Sequence, residues 1–225
     1  MLGDAEQNAI AAAIAAQEDK TRGEIVCILA EHVSAYPEVR LVWAIVAAIL
    51  LPPFFVWAGL DPVALVDWAG GWSASTGPAS DAQRMSLLAG YTVLQSLMFL
   101  FAFGLASIPA LRQRLTPKGH KKARVYRAAL EQYIATGLHQ SDSRTGVVIF
   151  ASFEDHCVSI VADPLVHQAV GPEVWARAVA AVEDGMRMQD GAAGLIKAIE
   201  ICGAALAEHF PGKSPNLLSN RPLEL

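Results

Sequence analysis

Two long apolar runs without a charged residue constrain the fold of this chain more than any other feature of its sequence. The first extends from Leu41 to Leu60 and the second from Met85 to Leu111. At about 1.5 Å per residue, a helix of either length crosses the hydrocarbon core of a bilayer, which is about 30 Å thick. All charged residues lie outside these runs, so we expect two transmembrane helices together with one water-soluble domain.

The distribution of charge around the runs predicts their orientation. The connector at 61–85 contains three aspartates and one arginine, whereas seven basic residues and no acidic one follow the second run, namely Arg112, Arg114, Lys118, Lys121, Lys122, Arg124 and Arg127. Basic residues stay on the cytoplasmic side, so both termini are expected in the cytoplasm of a bacterial inner membrane with the connector outside. The same side chains would contact anionic lipid headgroups.

The net charge of -5 comes mainly from the first forty residues. Such an acidic balance does not indicate nucleic acid as a partner. The three cysteines, Cys27, Cys157 and Cys202, lie in apolar segments without metal-binding or redox spacing. We interpret them as reduced thiols of the core.

Pro52 and Pro53 fall in the middle of the first apolar run. Each lacks an amide hydrogen and crowds the preceding turn, so a kink or a local break of the helix is expected there. A re-entrant segment is the alternative interpretation, and it would place the two termini on opposite sides of the membrane. Whether the prolines kink or break the span is left open by the sequence.

The segments outside the apolar runs alternate between strand and helix patterns. A continuous apolar run at 25–30 predicts a strand buried on both faces. Two further strands rich in β-branched residues, from Gly146 to Ser152 and from His156 to Ala162, predict an antiparallel hairpin. Predicted helices are those starting at Asp4, from Thr116 to Leu138, from Pro172 to Met188 and from Asp190 to His209.

The first strand has no partner within its own segment, so it is expected to pair with the later hairpin. A parallel pairing with the second strand, through the helix at Thr116, would satisfy the right-handed crossover rule. We therefore predict an α/β fold with this organisation: a first part of a cytoplasmic domain at 1–38, a transmembrane hairpin at 39–111 (spans at about 41–60 and 86–108, external connector at 61–85), a second part of the domain at 112–210 and a flexible tail at 211–225.

Three segments resemble the TPM domain family, and specifically its bacterial membrane-bound members that carry a transmembrane hairpin inside the domain. They are TRGEIVCILAEHVSAYPE from Thr21, ATGLHQSDSRTGVVIFASFEDHCVSIVAD from Ala135 and DGAAGLIKAIEICGAALAEHFP from Asp190. The resemblance implies a three-layer α/β sandwich, a small mixed sheet with helices on both faces. Some members of this family are described as acid phosphatases or calcium-binding proteins, and others assist the assembly or repair of membrane complexes.

The chain departs from the family after the third strand, where typical members have a glycine-rich segment. In this chain the residues are Ala162, Asp163, Pro164, Leu165 and Val166. Without glycine, a backbone conformation with positive φ is disfavoured at these positions. No catalytic residue of the family is therefore transferred to this chain.

Two groups of polar residues are candidate sites. The first is a carboxylate and imidazole cluster for a divalent cation such as Ca²⁺ or Mg²⁺, formed by Asp163 and His167 together with Asp155 beside His156. An ordinary turn and helix cap explain Asp163 equally well. His139 and Arg144 are candidates for ligand binding, because they lie in a polar loop at the expected edge of the sheet.

The sequence supports two hypotheses about function. The first is a two-span inner-membrane protein whose TPM-like domain is a binding or assembly-helper module for other membrane proteins. The second is a membrane-tethered, metal-dependent hydrolase similar to an acid phosphatase. The apolar runs contain no ionisable residue, so no proton relay or path for a charged substrate is indicated in the membrane.

Overall fold

A computed structural model describes residues 2–31, 37–59, 81–108, 111, 116–138, 144–213 and 218–225 of the chain. These residues belong to two compact units: Met1–Ala35 with Lys118–Leu225, and Tyr36–Pro117. The first unit is a mixed α/β structure and the second is helical. Residues 61–80 of the connector, which the sequence predicts to be external, lie outside the described residues, as do Arg112 and Arg114.

The α/β unit is formed by helices and strands from both ends of the chain. In chain order they are α1 (Asp4–Glu18), β1 (Glu24–Ala30), α4 (Lys118–Ala135), β2 (Gly146–Ser152), β3 (Cys157–Ala162), α5 (Pro164–Ala169), α6 (Pro172–Arg187) and α7 (Gly191–His209), followed by a short strand β4 (Leu223–Glu224). The helical unit, between β1 and α4 in the sequence, contains α2 (Pro37–Trp57) and α3 (Asp81–Ala106).

The four strands form one mixed sheet in the order β3-β2-β1-β4. Strand β1 pairs in parallel with β2, from Glu24 opposite Gly146 to Ala30 opposite Ser152. Strands β2 and β3 form an antiparallel hairpin. The predicted mixed α/β sheet, with its parallel pair and its hairpin, is confirmed.

Alternate residues of β1 face two separate cores, because successive side chains of a strand point to opposite faces. Ile25, Cys27 and Leu29 pack with α1, α6 and α7 on one face. Val26 and Ile28 pack with α4 on the other face. Both faces are therefore covered by helices, which explains why the strand sequence is continuously apolar instead of alternating.

The C-terminal tail contributes a strand that the sequence pattern does not predict. Leu223 and Glu224 pair in parallel with Ile28 and Leu29, and the amide of Leu225 donates a hydrogen bond to the carbonyl of Leu29 at 2.8 Å. The sequence predicts a flexible tail instead, because its three prolines and lack of period indicate no element. A two-residue strand has too short a pattern to detect and depends on the edge that β1 exposes.

Helices α2 and α3 pack against each other through small residues. Ala44 and Ala48 of α2 and Ala106 of α3 are buried in this contact, together with Leu94. The guanidinium of Arg40 lies over the ring of Phe103, 5.8 Å from its centre. Helix α2 is continuous from 37 to 57, including Pro52 and Pro53, so the prolines do not break it.

Two segments of these helices are long and apolar enough to cross a membrane: Glu38–Trp57 and Leu88–Ala106. A core helix of a water-soluble protein passes the same test of length and composition, but it would be mostly buried. Only 22% of the first segment and 11% of the second are buried. Most of their large apolar side chains are exposed, including Leu50, Trp57 and Leu100.

Candidate functional site

The carboxyl ends of the two parallel strands carry a depression of the α/β unit. Strands β1 and β2 end at Ala30 and Ser152. The amide of Phe153 then donates to the carbonyl of Ala30 at 3.1 Å, and the amide of Glu154 donates to the carbonyl of Glu31 at 3.0 Å. These bonds hold the β2–β3 turn beside the end of β1. In open α/β sheets, ligands bind at this edge.

Two adjoining cavities lie at this edge, and together we call them the carboxyl-edge groove. The larger has a volume of about 280 Å³ and is lined by Leu2, Glu6, Phe153, His156, Met186, Gln189 and Gly191. The smaller, of about 10 Å³, is lined by Leu2, Leu29, Ala30, Glu31, Phe153 and Glu224. Both share Leu2 and Phe153. The larger one is close to the lower end of the size range of small-molecule sites.

The backbone around the groove adopts unusual conformations. His156 has φ of 47° and Gln189 has φ of 60°, values that cost a non-glycine residue about 1–2 kcal/mol each. A Cβ atom on Gly191 would lie 2.6 Å from Cε1 of Phe153, so the aromatic ring rests directly on the glycine backbone. Strained residues of this kind are concentrated at functional sites in proteins.

The charge of the groove is one-sided. Among the described residues, its lining includes the carboxylates of Glu6, Glu31 and Glu224 and the imidazole of His156, but no lysine or arginine. Glu6 accepts a hydrogen bond from the amide of Gly3 at 2.7 Å, and Glu224 accepts one from the side chain of Gln7 at 2.9 Å. Carboxylates beside an aromatic ring favour a cationic group, which also gains from contact with the aromatic face.

Arg144 lies at the opposite edge from the one expected. It precedes β2, which begins at Gly146, so it belongs to the amino ends of the parallel strands. The prediction that this loop forms the ligand-binding edge assumes that the loop follows a strand. His139, the second candidate of that loop, lies outside the described residues.

Asp163 is almost fully buried at the amino edge, with 1% of its surface exposed. Its Oδ2 accepts a hydrogen bond from the hydroxyl of Tyr133 at 3.0 Å and lies 3.9 Å from Nε of Arg144. Its Oδ1 accepts the amide of Leu165 at 3.0 Å and so caps α5. The pKa of Tyr133 is raised to about 12; burial is the larger cause and the neighbouring Asp163 carboxylate is the smaller one.

The expected metal cluster is not assembled. Asp163 and Asp155 flank opposite ends of β3, and at about 3.3 Å per residue its six residues separate them by roughly 20 Å. Asp155 instead accepts the hydroxyl of Ser152 at 3.1 Å, and His167 is exposed on α5. Across the described part of the chain, no three His, Cys, Asp or Glu side chains form a group that could hold a metal ion.

The described basic residues of the predicted membrane-surface group lie on α4, namely Lys118, Lys121, Lys122, Arg124 and Arg127. Lys122 is exposed and its Nζ lies 4.0 Å from Oε1 of Glu183 on α6. The opposite face of α4 packs on the sheet through Val125 and Ala129. The amphipathic pattern thus directs the basic side chains away from the core.

Of the residues that line the carboxyl-edge groove, the sequence pattern singles out only His156, as the neighbour of Asp155. Glu6 lies on α1, Gln189 and Gly191 lie at the junction of α6 and α7, and Glu224 lies on β4. These segments are far apart in the sequence, and none carries a motif. Among these residues, only Gly191 gives a weak local signal. It directly follows the capping residue Asp190, where the helix itself does not need a glycine, so its presence there indicates another constraint.

Comparisons with known proteins bear on the fold alone. No family model matches the chain, and no curated protein sequence matches it. A solved structure with a similar fold is described as "NMR structure of BA42 protein from the psychrophilic bacteria Bizionia argentinensis sp. nov.", with a TM-score of 0.55, 17% sequence identity and coverage of 100% of this chain and 96% of that chain. The protein is thus of the mixed α/β class, and the resemblance to the TPM family stays a prediction.

Proposed function

We propose that this protein is a two-span inner-membrane protein whose cytoplasmic, TPM-like α/β unit is a binding or assembly-helper module for other membrane proteins. The observation that carries the proposal is the exposed apolar surface of α2 and α3. Side chains such as Leu50, Phe54 and Leu100 are more than half exposed. Monomeric proteins in water rarely expose a continuous apolar surface of this kind, whereas a bilayer covers it.

The ends of the helical pair support the same placement. Arg40 lies at the first turn of α2, where its guanidinium lies over the ring of Phe103 near the end of α3. A basic side chain at the end of a span is typical of the boundary between hydrocarbon and headgroups. The basic residues of α4 follow the second span in the sequence, so the positive-inside rule favours a cytoplasmic α/β unit.

The carboxyl-edge groove is the surface by which such a module would bind. It combines an aromatic ring, two non-glycine residues with positive φ and three carboxylates, and its larger cavity is open to solvent. This chemistry fits a basic side chain or a short basic segment of a partner protein. The basic residues that flank transmembrane helices on the cytoplasmic side are such segments.

The alternative function, a membrane-tethered, metal-dependent hydrolase, has less support. Both oxygens of Asp163 already accept hydrogen bonds, one from Tyr133 and one from the amide that it caps. A carboxylate held in this way stabilises the fold without any ligand. Release of phosphate from a generic phosphomonoester by the purified protein, lost in the Asp163→Asn variant, would favour the hydrolase.

Membrane placement is tested with reporter fusions. A periplasmic reporter joined after Gly77 is expected to be active, and a cytoplasmic reporter joined after Leu225 is expected to be active as well. The protein should also stay in the membrane pellet during extraction with alkaline carbonate. An external C-terminus, or release by carbonate, would contradict the proposal.

The binding role is tested by site-specific photocrosslinking in intact membranes. A photoreactive residue at Gln189, on the rim of the groove, is expected to crosslink membrane proteins, whereas the same residue at Arg177, outside the groove, is not. Gly191→Val forces a side chain against Phe153 and should abolish the crosslinks. Gly119→Ala, where a Cβ meets nothing within 4 Å, is the matched control. Equal crosslinking from both positions would contradict a binding role for the groove.

A further inference from the structure

The hydroxyls of Thr92 and Ser96 on α3 are satisfied within their own helix. Thr92 donates to the carbonyl of Leu88 at 2.8 Å, and Ser96 donates to the carbonyl of Thr92 at 2.8 Å. The hydroxyl of Ser107, just after the helix, likewise donates to the carbonyl of Phe103 at 2.7 Å. Hydroxyl groups bonded in this way tolerate hydrocarbon, because their hydrogens already have acceptors.

Gln95 of α3 is the exception among these polar side chains. Its carboxamide has no hydrogen-bond partner among the described residues of the chain. The side chain lines a groove of about 540 Å³ between α2 and α3, whose other lining residues are Ile45, Ala48, Ile49, Ser96, Phe99 and Leu100. An amide needs up to two acceptors and two donors, and lipid supplies neither.

We propose that this groove is the interface between two copies of the chain in the membrane, with the Gln95 side chains of the two copies bonded to each other. The inference rests on the proposed membrane placement. A carboxamide is both donor and acceptor, so two of them related by a two-fold axis form two reciprocal N–H···O bonds. The Gln95 carboxamide of a second copy therefore supplies the hydrogen-bond donor and acceptor that the described residues of the first copy do not supply.

The remainder of the groove is suited to a helix of the same chain. Ile49 and Leu100 line it with 56% and 64% of their surfaces exposed, so apolar side chains of a second helix can pack against them. The other lining residues are uncharged and mostly apolar. No charged partner is needed to complement this surface, which favours the apolar α3 of a second copy over a helix with an ionisable residue.

The test uses the full-length protein in liposomes of phosphatidylcholine and phosphatidylglycerol. Donor and acceptor dyes on a C-terminal tag report dimer formation by energy transfer as the protein is diluted in lipid. Gln95→Leu is expected to raise the dimer dissociation constant by about 3- to 30-fold, the usual range for one interhelical hydrogen-bonded contact. Gln95→Asn keeps the amide and should retain more association than Gln95→Leu.

Two further variants separate the amide from the shape of the groove. Ile49→Trp enlarges a groove side chain of which 56% is exposed, and it is expected to fill the groove and weaken the dimer. Ser96→Ala removes a neighbouring hydroxyl that bonds only within its own helix, and should leave the dissociation constant within about two-fold. Wild-type protein that stays monomeric at every dilution, or equal association of Gln95→Leu and wild type, would overturn the proposal.

Flotation of the same liposomes with alkaline carbonate separates this inference from the one on which it rests. Protein that floats with the lipid but shows no Gln95-dependent energy transfer disproves the interface and leaves the membrane placement intact. Protein that does not float disproves both proposals.

Discussion

The hydroxyl of Tyr133 donates a hydrogen bond to Oδ2 of Asp163 across 3.0 Å, and this bond joins α4 to the start of α5. Both residues are buried, with 6% and 1% of their surfaces exposed. The pair is a structural contact at the amino edge of the sheet, since the second oxygen of Asp163 caps α5. Its strength can be measured independently of any ligand.

Tyr133→Phe is expected to lower the free energy of unfolding by about 1–3 kcal/mol, because it leaves a buried carboxylate oxygen without its hydroxyl donor. Chemical denaturation of the detergent-purified protein measures the change. Tyr126→Phe is the matched control, since Tyr126 lies on the same helix with 54% of its surface exposed. The control should stay within about 0.5 kcal/mol of wild type. Equal stability of the two variants would contradict the role assigned to the bond.

Gly194→Ala tests the close packing of α6 on α7. A Cβ atom at Gly194 would lie 2.8 Å from the carbonyl oxygen of Ala181 and 3.0 Å from Cα of Gly185, both of them backbone atoms that cannot rotate away. We expect a loss of about 1–3 kcal/mol from overpacking. Gly119→Ala has open space around its Cβ and should be neutral, or more stable by up to about 1 kcal/mol. Thermal unfolding of both variants is the measurement, and a neutral Gly194→Ala would disprove this packing.

Glu18 predicts a pH dependence of stability. Burial raises the pKa of Glu18 above its ordinary value, against the opposing effect of the hydrogen bond that it accepts from the amide of Ile25. The folded state therefore binds this proton more tightly than the unfolded state. Its contribution is most favourable below the ordinary value of 4.5 and is lost as the pH rises through the folded-state pKa.

Glu18→Gln removes this titration. Relative to wild type, the variant should therefore become more stable as the pH rises from about 4 to about 7, which the melting temperature across that range measures. Glu208→Gln, at an exposed position on α7, provides the same chemical change without burial. A difference between Glu18→Gln and wild type that is independent of pH would contradict the prediction.

The cysteines are expected to be unreactive in the folded protein. Burial raises the pKa of Cys27 and of Cys202 to about 12, and burial also raises the pKa of Cys157. The thiolate is the reacting form, so a maleimide at a pH of about 7.5 should label none of the three rapidly. In denaturant all three should react, and on slow opening Cys157 should react first, since it is the most exposed of them. Rapid labelling of Cys27 or Cys202 under native conditions would contradict their burial.

Much of the sheet is predictable because burial on both faces imposes a simple pattern. The apolar run at 25–30 has to be covered by helices on each side, and it can pair only with another buried strand. The hairpin of β2 and β3 follows from two β-branched runs separated by a short polar turn. The two segments of membrane-spanning length follow from the uncharged, apolar composition of the two runs. The number of residues in each run, multiplied by the rise per residue of a helix, gives a length that crosses a bilayer.

The candidate site is not predictable to the same degree. Residue type alone points to Arg144 and Asp163, but the positions of strand ends decide which polar groups meet. Asp163 follows β3, which runs antiparallel to β2, so it joins Arg144 at the amino edge. Asp155 belongs to the turn at the other end of β3, so the length of that strand, which the sequence pattern already predicts, keeps the two carboxylates apart.

The sequence by itself determined the class of this protein: the order of strands and helices, the parallel pair, the hairpin and two apolar helices of membrane-spanning length. These features depend on the period and length of apolar runs, which are local properties. The tertiary structure alone decided the carboxyl-edge groove, the pairing of β4 with β1 and the position of the Gln95 amide in the groove between α2 and α3. Each of these depends on which surfaces remain after packing, and that is settled by contacts between residues far apart in the chain.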